Sequence, residues 1–170
     1  MIRHNTYRLT AIAMLGALAV IGRIAFANVP NVQPVTVIII MAGLYLGTGS
    51  AIMLAIVITF VTNMLLGMGI WSVWQIVCWG VIGAMSGLMR QALLRMKLIF
   101  IAIYSCLCGY IYGLLISIPT YQVTGDFWPY YLAGLPFDTY HAIGNAFFMV
   151  LLYKPLSHLL INYNKKYLSK

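Results

Sequence analysis

No lysine, arginine, aspartate or glutamate occurs between Arg23 and Arg90, and long apolar runs fill this interval. Over the chain of 170 residues, 7% are charged and 63% are hydrophobic, whereas a soluble domain has about 25% charged residues. A chain of this composition is solvated by lipid. Because lipid offers no hydrogen bonds, every backbone N–H and C=O must be satisfied within the protein, which leaves helices or a closed barrel.

The apolar runs are continuous and lack the alternation of barrel strands, so we predict an all-α integral membrane protein. A spanning helix needs roughly 20 residues. The chain is therefore long enough for a compact bundle of six transmembrane helices, which form a single membrane domain over residues 1–170. The predicted helices are 8–26, 35–47, 50–66, 71–92, 98–118 and 137–153.

Two of the predicted segments have unusual lengths. The second predicted helix, 35–47, is short for a span and ends at a glycine-rich turn. The longest predicted loop is 120–136, after Pro119. Loops of this length in compact domains often act as lids, so we interpret 120–136 as a lid.

Basic and acidic residues are distributed unequally over the predicted loops. With six spans, both termini share one side with the second-to-third and fourth-to-fifth connections. The basic residues on or near that side are Arg3, Arg8, Arg90, Arg95, Lys97, Lys154, Lys165, Lys166 and Lys170. Both acidic residues, Asp126 and Asp138, lie on the other side. The positive-inside rule then predicts cytoplasmic termini, and because orientation accounts for the net charge of +8, we expect no nucleic-acid binding.

The N-terminal apolar run resembles a signal peptide only in part. Ala25-Phe26-Ala27 matches a cleavage site, but Arg23 is unusually late for the apolar region of a signal peptide. We therefore expect a retained helix. The three cysteines form neither a disulfide framework nor a zinc-ligand pattern, so we expect them to be small buried residues and predict no metal and no cofactor.

Motifs for enzyme chemistry and energy coupling are absent. The chain has no phosphate-binding loop of the P-loop type. Ser50 lacks a convincing base, because His141 is predicted on the opposite side and His158 alone is weak evidence. The predicted spans have no series of acidic residues and histidines of the kind that ion-coupled carriers use. We predict a binding protein, not an enzyme, and the energy for any transport must come from elsewhere.

Polar and aromatic residues collect on the outer side. Trp71, Trp74, Gln75 and Trp79 share one face of a helix, as a binding wall or as an interfacial aromatic belt. Arg23 either extends outward to the interface, pairs with Asp138 or faces a ligand. The candidate substrate-binding residues are Asn28, Asn31, Gln33, Asn63, Trp71, Trp74, Gln75, Trp79, Trp128, Tyr131, Asp138, His141, Asn145 and Arg23. This amide-rich and aromatic set suits a ligand with many neutral hydrogen-bonding groups and a flat apolar surface.

The cytoplasmic half of the first predicted helix has a surface of small residues. Ala13, Gly16 and Ala17 allow another helix to approach closely. Packing inside the bundle is one interpretation. Docking onto another membrane protein is the other, and under it these three residues form the docking surface.

Two segments, FANVPNVQPVTVIIIMAGLYLG (26–47) and NMLLGMGIWSVWQIVCWGVIGAMSGL (63–88), resemble the substrate-binding S component of energy-coupling factor (ECF) vitamin transporters, most closely a subgroup linked to cobalamin. The resemblance extends over most of the chain, with six helices, the alanine motif of the first helix and a site built from outer loops. It implies a location in the bacterial cell membrane.

The resemblance also implies a division of labour. An S component captures a vitamin outside, docks through its first helix onto an ECF transmembrane scaffold subunit with two ECF ATPases, and topples in the membrane to deliver the ligand. Cobalamin, or a corrinoid precursor, is the ligand we expect. The alternatives are an S component for another vitamin, such as pantothenate or folate, and a stand-alone small-molecule carrier.

Overall fold

The computed structural model describes the backbone of residues 2–168, and the side chains of 5–119 and 125–168. The described part is helical and has no strand. The elements are α1 (Ile2–Ala25), α2 (Val35–Leu46), α3 (Thr48–Leu66), α4 (Trp71–Leu88), α5 (Arg90–Leu93), α6 (Leu98–Thr124), α7 (Phe127–Tyr163) and a π-helical turn (Asn164–Leu168). The all-helical prediction is confirmed.

Five of the described helices are long and apolar enough to cross a membrane: α1, α3, α4, α6 and α7. The helix α2 has 12 residues, which is about 18 Å at 1.5 Å per residue and less than the roughly 30 Å of a hydrocarbon core. The predicted count of six spans is therefore not confirmed.

The short helix α2 lies at the centre of the bundle. Every residue of Val35–Leu46 except Tyr45 is buried, and α1, α3, α4, α6 and α7 all contact this helix. A helix that is apolar on all sides is found either buried in protein or spanning lipid. Its sequence, VTVIIIMAGLYL, is compatible with the central place, and its 12 residues are too few to span the hydrocarbon core.

Close approach of α2, α3 and α4 depends on glycines at one end of α4. A Cβ added at Gly87 would lie 2.6 Å from the backbone nitrogen of Thr48, and one at Gly43 would lie 2.9 Å from the carbonyl oxygen of Gly83. Gly47 joins α2 to α3 with φ of 88°, a conformation that glycine adopts without strain. The backbones of α2, α3 and α4 therefore come into close contact at this end of the bundle.

The predicted loop 120–136 is wrong. The helix α6 continues past Pro119 to Thr124, and α7 begins at Phe127. The two-residue break contains Gly125, whose φ is 98°. Pro129 fits because it lies in the first turn of α7, where the missing N–H breaks no helical hydrogen bond. In lipid, a helix is also the conformation that satisfies the backbone of such a segment.

The helix α7 also extends further than predicted at its other end. The prediction was 137–153, whereas the helix reaches Tyr163 and contains Pro136 and Pro155. Its 37 residues correspond to about 55 Å. A proline inside a helix removes one hydrogen bond and favours a kink without ending the helix, which is why the proline positions were misleading.

Contacts place the connections at two ends of the bundle. At the end called here the basic end, the Tyr163 hydroxyl donates to the Tyr7 carbonyl oxygen over 2.6 Å, and the Asn164 amide donates to the Tyr45 carbonyl oxygen over 2.8 Å. The other end, called here the loop end, has the connections 26–34, 67–70 and 125–126. Arg3 and Lys170, predicted at the basic end, lie outside the residues whose side chains are described.

Candidate functional site

A hydroxyl at the start of α2 connects α4 and α7 inside the loop-end half of the bundle. Thr36 Oγ1 accepts a hydrogen bond from the indole Nε1 of Trp79 over 3.1 Å and lies 2.9 Å from Nε2 of His141. All three side chains are buried. A buried indole N–H or imidazole nitrogen without a partner is costly, so this one hydroxyl keeps two large side chains in place.

Arg23 is held within the bundle by neutral groups. Its Nη1 donates to the Thr62 hydroxyl on α3, and its guanidinium carbon lies 5.2 Å from the centre of the Trp79 ring. Of the three predicted alternatives, pairing with Asp138 is not observed, because the partners that Arg23 contacts are the Thr62 hydroxyl and the Trp79 indole. Cation–π contact favours tryptophan most among the aromatic residues, and desolvation of the site strengthens it.

Aromatic rings continue this contact across the bundle. The Trp79 ring centre lies 5.2 Å from that of Tyr112 on α6, which in turn lies 5.0 Å from that of His141 on α7, edge to face. Arg23, Trp79, Tyr112 and His141 thus form a series of contacts that joins α1, α4, α6 and α7. We call these four residues and Thr36 the buried polar series.

Asn63 joins α3 to α4 at the loop end. Its Nδ2 donates to the Ser72 hydroxyl over 2.8 Å and to Gln75 Oε1 over 2.7 Å. The Ser72 oxygen also accepts from the Gly69 amide over 3.3 Å. The predicted site residues Asn63 and Gln75 therefore lie in contact, and Ser72 fixes the turn between their helices.

On α7, Asp138, His141 and Asn145 are all buried, as their spacing on one helix face predicts. The carboxyl group of Asp138 packs on Gly113 of α6. The side-chain amide of Asn145 is fully buried, and neither its Nδ2 nor its Oδ1 has a hydrogen-bond partner among the described residues. A buried amide without partners is rare in folded proteins.

A cleft of about 290 Å³ opens at the loop end beside the buried polar series. Three predicted residues, Arg23, Asn31 and Gln33, line it, together with Phe26, Ala27, Val29, Pro30, Val32 and Leu66. Asn31 Nδ2 also donates to the Phe137 carbonyl oxygen over 3.2 Å, which ties the 26–34 connection to α7. Asn28 is exposed and does not line the cleft.

The predicted tryptophan stripe does not form one continuous wall. Trp79 is fully buried, whereas Trp71 is 51% and Trp74 36% exposed. Gln75 is half-buried. The stripe therefore contributes Trp79 and Gln75 to the interior, and leaves Trp71 and Trp74 on the surface, as the aromatic-belt interpretation expects.

Trp128 and Tyr131 lie on the first turns of α7. With Phe127 they form a local aromatic cluster, in which the Phe127 and Tyr131 rings stack with centres 5.8 Å apart and Trp128 lies 5.2 Å from Phe127. Trp128 is 67% exposed. Trp128 and Tyr131 therefore pack with Phe127 at the start of α7 and are not among the residues that line the cleft.

Two of the three residues predicted to dock another protein are exposed. Ala13 and Ala17 face outward on α1, between the exposed side chains of Met14 and Leu18. Gly16 is buried, and its Cα faces Leu54 and Val57 of α3. The small-residue surface thus serves two contacts: Gly16 packs inside the bundle, and Ala13 and Ala17 remain available outside.

Sequence reasoning missed the hydroxyl and phenol groups that organise the site. Thr36, Thr62, Ser72 and Tyr112 each bond or contact a predicted residue. Thr36 is 105 residues from His141 in the chain, and no spacing within one helix marks such a pair. Only Ser72 could have been found from the sequence, because it lies three residues before Gln75 on the same helix.

The donors and acceptors of the site are mostly neutral, with Arg23 as the fixed cation and Asp138 as the acid. No cluster of three or more His, Cys, Asp or Glu side chains that would suit a metal is found within the described part of the chain. Hydrogen bonds and ring contacts are the interactions that such an array offers to a ligand.

Comparison with known proteins identifies a family. The family model described as "ECF transporter, substrate-specific component" matches residues 7–153. No curated protein and no solved structure matches the chain.

Proposed function

The chain belongs to the family of substrate-specific components of ECF transporters, and from this premise we propose that it captures a vitamin at the loop end. Members of this family are substrate-binding transporter subunits, not enzymes, and membership implies ECF scaffold and ATPase partners. The protein is a multi-pass protein of the cell membrane. We propose that its loop end faces outward and that both termini are cytoplasmic, in agreement with the positive-inside rule.

Our proposed ligand is cobalamin or a corrinoid precursor. The observation that supports it is the mostly neutral lining of the cleft: Asn31 and Gln33 supply amides, and the charged lining residue, Arg23, already contacts Thr62 and Trp79. A corrinoid is a flat ring surrounded by amides, which amide and aromatic side chains bind without charge. The unpartnered amide of Asn145 supplies a further donor and acceptor close below His141.

The size of the cleft favours a second candidate. A corrinoid is larger than the cleft of about 290 Å³, so its binding requires the 26–34 connection and the start of α7 to separate. The Asn31–Phe137 bond is the contact that would open. A smaller vitamin with one carboxylate, such as pantothenate, fits without that movement and places its carboxylate near Arg23.

Calorimetric titration of the purified chain distinguishes these ligands. We expect heat of binding with cobalamin or a corrinoid precursor, and none with pantothenate or folate. Binding of pantothenate without binding of a corrinoid would refute the corrinoid proposal and leave the family assignment intact.

A matched pair of glutamine variants tests the site itself. Gln75→Ala removes one of the two acceptors of the Asn63 amide and should weaken ligand binding without loss of expression. Gln91→Ala, an exposed glutamine on α5 at the basic end, should bind like the unchanged protein. Equal affinity of all variants would place the ligand elsewhere.

Delivery is proposed to proceed by toppling of the whole subunit after docking on the scaffold. Ala13→Trp fills the exposed small-residue surface of α1 and should block co-purification with scaffold and ATPases while leaving ligand binding intact. Ala133→Trp, an exposed alanine on α7 towards the loop end, should dock normally. Normal transport by Ala13→Trp would show that another surface docks, and transport without partners would favour a stand-alone carrier.

A further inference from the structure

A second cleft lies at the basic end, between the first turns of α1 and α3. It has a volume of about 410 Å³ and is lined by Asn5, Arg8, Leu9, Ile12, Gly49, Ser50 and Met53. We call it the basic-end groove. It is far from the buried polar series, and the proposed capture of a vitamin uses none of its residues.

The groove has polar residues at its mouth and apolar walls. Asn5 and Arg8 are exposed near the start of α1. Leu9 and Met53 line the sides with 53% and 44% of their surface exposed, and Ile12 is buried beneath them. The hydroxyl of Ser50 is already used, since it donates to the Leu46 carbonyl oxygen over 3.1 Å.

Arg8 has no acidic residue of its own chain to pair with at this end. The sequence contains two acidic residues. Asp138 packs on Gly113 in the loop-end half, and Asp126 precedes α7 at the loop end. A cation at the mouth of a cleft that continues into apolar walls is complementary to an anionic headgroup followed by an acyl chain.

We propose that the basic-end groove binds one anionic phospholipid, with its phosphate at Arg8 and Asn5 and one acyl chain along Leu9, Ile12 and Met53. The exposed apolar walls argue for a lipid over a free phosphate, because a small anion would leave them uncovered. Gly49 leaves space for the acyl chain, because a Cβ added there would meet no atom within 4 Å. A bound lipid of this kind anchors α1 and α3 together at the membrane surface.

The test is native mass spectrometry of the purified chain, titrated with phosphatidylglycerol or with phosphatidylcholine of the same acyl chains. The first phosphatidylglycerol should bind roughly tenfold tighter than phosphatidylcholine, because the choline cation of phosphatidylcholine opposes the attraction of its phosphate to Arg8. Arg8→Gln should abolish this preference. Arg95→Gln removes the same charge from an exposed site outside the groove and should retain it. Equal effects of the two variants would refute the proposal.

A second variant tests the groove independently of charge. Gly49→Leu projects into the groove from a position where an added Cβ meets no atom within 4 Å, and should prevent retention of the first phosphatidylglycerol. Gly80→Leu, where an added Cβ also meets nothing within 4 Å, should not. Displacement of the lipid by inorganic phosphate would identify a free-phosphate site and overturn the proposal. So would loss of scaffold docking in Gly49→Leu with unchanged lipid retention, which would make the groove a protein interface.

Discussion

At the basic end, α2, α3 and α4 meet through glycines, whereas at the loop end the same helices meet through side-chain hydrogen bonds. Gly87 lies against the backbone of Thr48, and Gly43 lies against Gly83. At the other end, Trp79 donates to Thr36, and Asn63 donates to Ser72 and Gln75.

The two kinds of helix contact differ in how easily the helices can separate. Helices that pack closely at glycines have one arrangement, because an added side-chain atom or a movement of one helix produces steric overlap. An interface formed by hydrogen bonds can exchange partners, because a ligand with amides and hydroxyls offers the same bonds. The loop end is thus suited to open around a ligand while the basic end keeps the helices together. Variants at the two ends separate these two kinds of interface, from the largest expected loss of stability to the smallest.

Gly87→Leu should have the largest effect. Its side chain would overlap the backbone of Thr48, which cannot move without displacing the start of α3. Overpacking costs about 1–3 kcal/mol and occasionally more, and we expect about 3 kcal/mol here. The measurement is thermal unfolding in detergent, which is monitored by the labelling of the buried thiols of Cys78 and Cys108 as they become accessible.

The control for this prediction is Gly80→Leu on the same helix. A Cβ at Gly80 meets no atom within 4 Å, and leucine favours a helix more than glycine does. We therefore expect an unchanged or slightly higher unfolding temperature. Similar losses in both variants would mean that close packing at Gly87 is not what holds the basic end.

Thr36→Val should come next, because it keeps the shape and removes the hydroxyl. The indole N–H of Trp79 and the imidazole of His141 would lose a buried partner, at a cost of about 2 kcal/mol. Vitamin affinity should also fall, since Trp79 and His141 would lose their fixed positions.

Thr59→Val is the matched control for Thr36→Val. Thr59 is equally buried, but its hydroxyl donates only within α3, to the Ala55 carbonyl oxygen over 2.8 Å. Its loss leaves no partner on another helix unsatisfied. If Thr59→Val were as unstable and bound vitamin as weakly as Thr36→Val, the hydrogen bonds between helices would not distinguish the loop end.

Asn31→Ala should have a smaller effect, about 1 kcal/mol. Asn31 has φ of 57°, a left-handed conformation that asparagine tolerates better than alanine does, and its amide bonds to Phe137. Asn31→Gly also removes the amide but fits the backbone, so it separates the two contributions. An unfolding temperature that is lower for glycine than for alanine would contradict a backbone origin.

The helical architecture and much of the site were predictable because they depend on local spacing. Asp138, His141 and Asn145 are buried along one face of α7 as their spacing predicts. The small-residue motif of α1 likewise places Ala13 and Ala17 on one exposed face.

What could not be predicted depends on contacts between distant segments. Pro119 and Pro136 suggested a long loop, but the backbone around them is helical, because neighbouring helices and lipid decide whether a proline ends or bends a helix. The role of Thr36 depends on residues on two other helices. For Arg23 the sequence left three alternatives, namely extension to the interface, pairing with Asp138 or contact with a ligand. Its contact with Thr62 and Trp79 depends on where α3 and α4 lie relative to α1.

Trp128→Ala should have the smallest effect on stability, within about 0.5 kcal/mol, because its indole is 67% exposed and surface substitutions rarely exceed that value. An exposed indole at the loop end is nevertheless an area that a large flat ligand would cover. We therefore expect corrinoid affinity to fall roughly tenfold, the value of an aromatic contact of about 1.4 kcal/mol. Phe147→Ala removes a similarly exposed ring lower on α7 and should change neither quantity. If Trp128→Ala left corrinoid affinity unchanged while Thr36→Val reduced it, the ligand would lie within the bundle below the start of α7. That result would favour the smaller vitamin, which the cleft admits without separation of the 26–34 connection from α7.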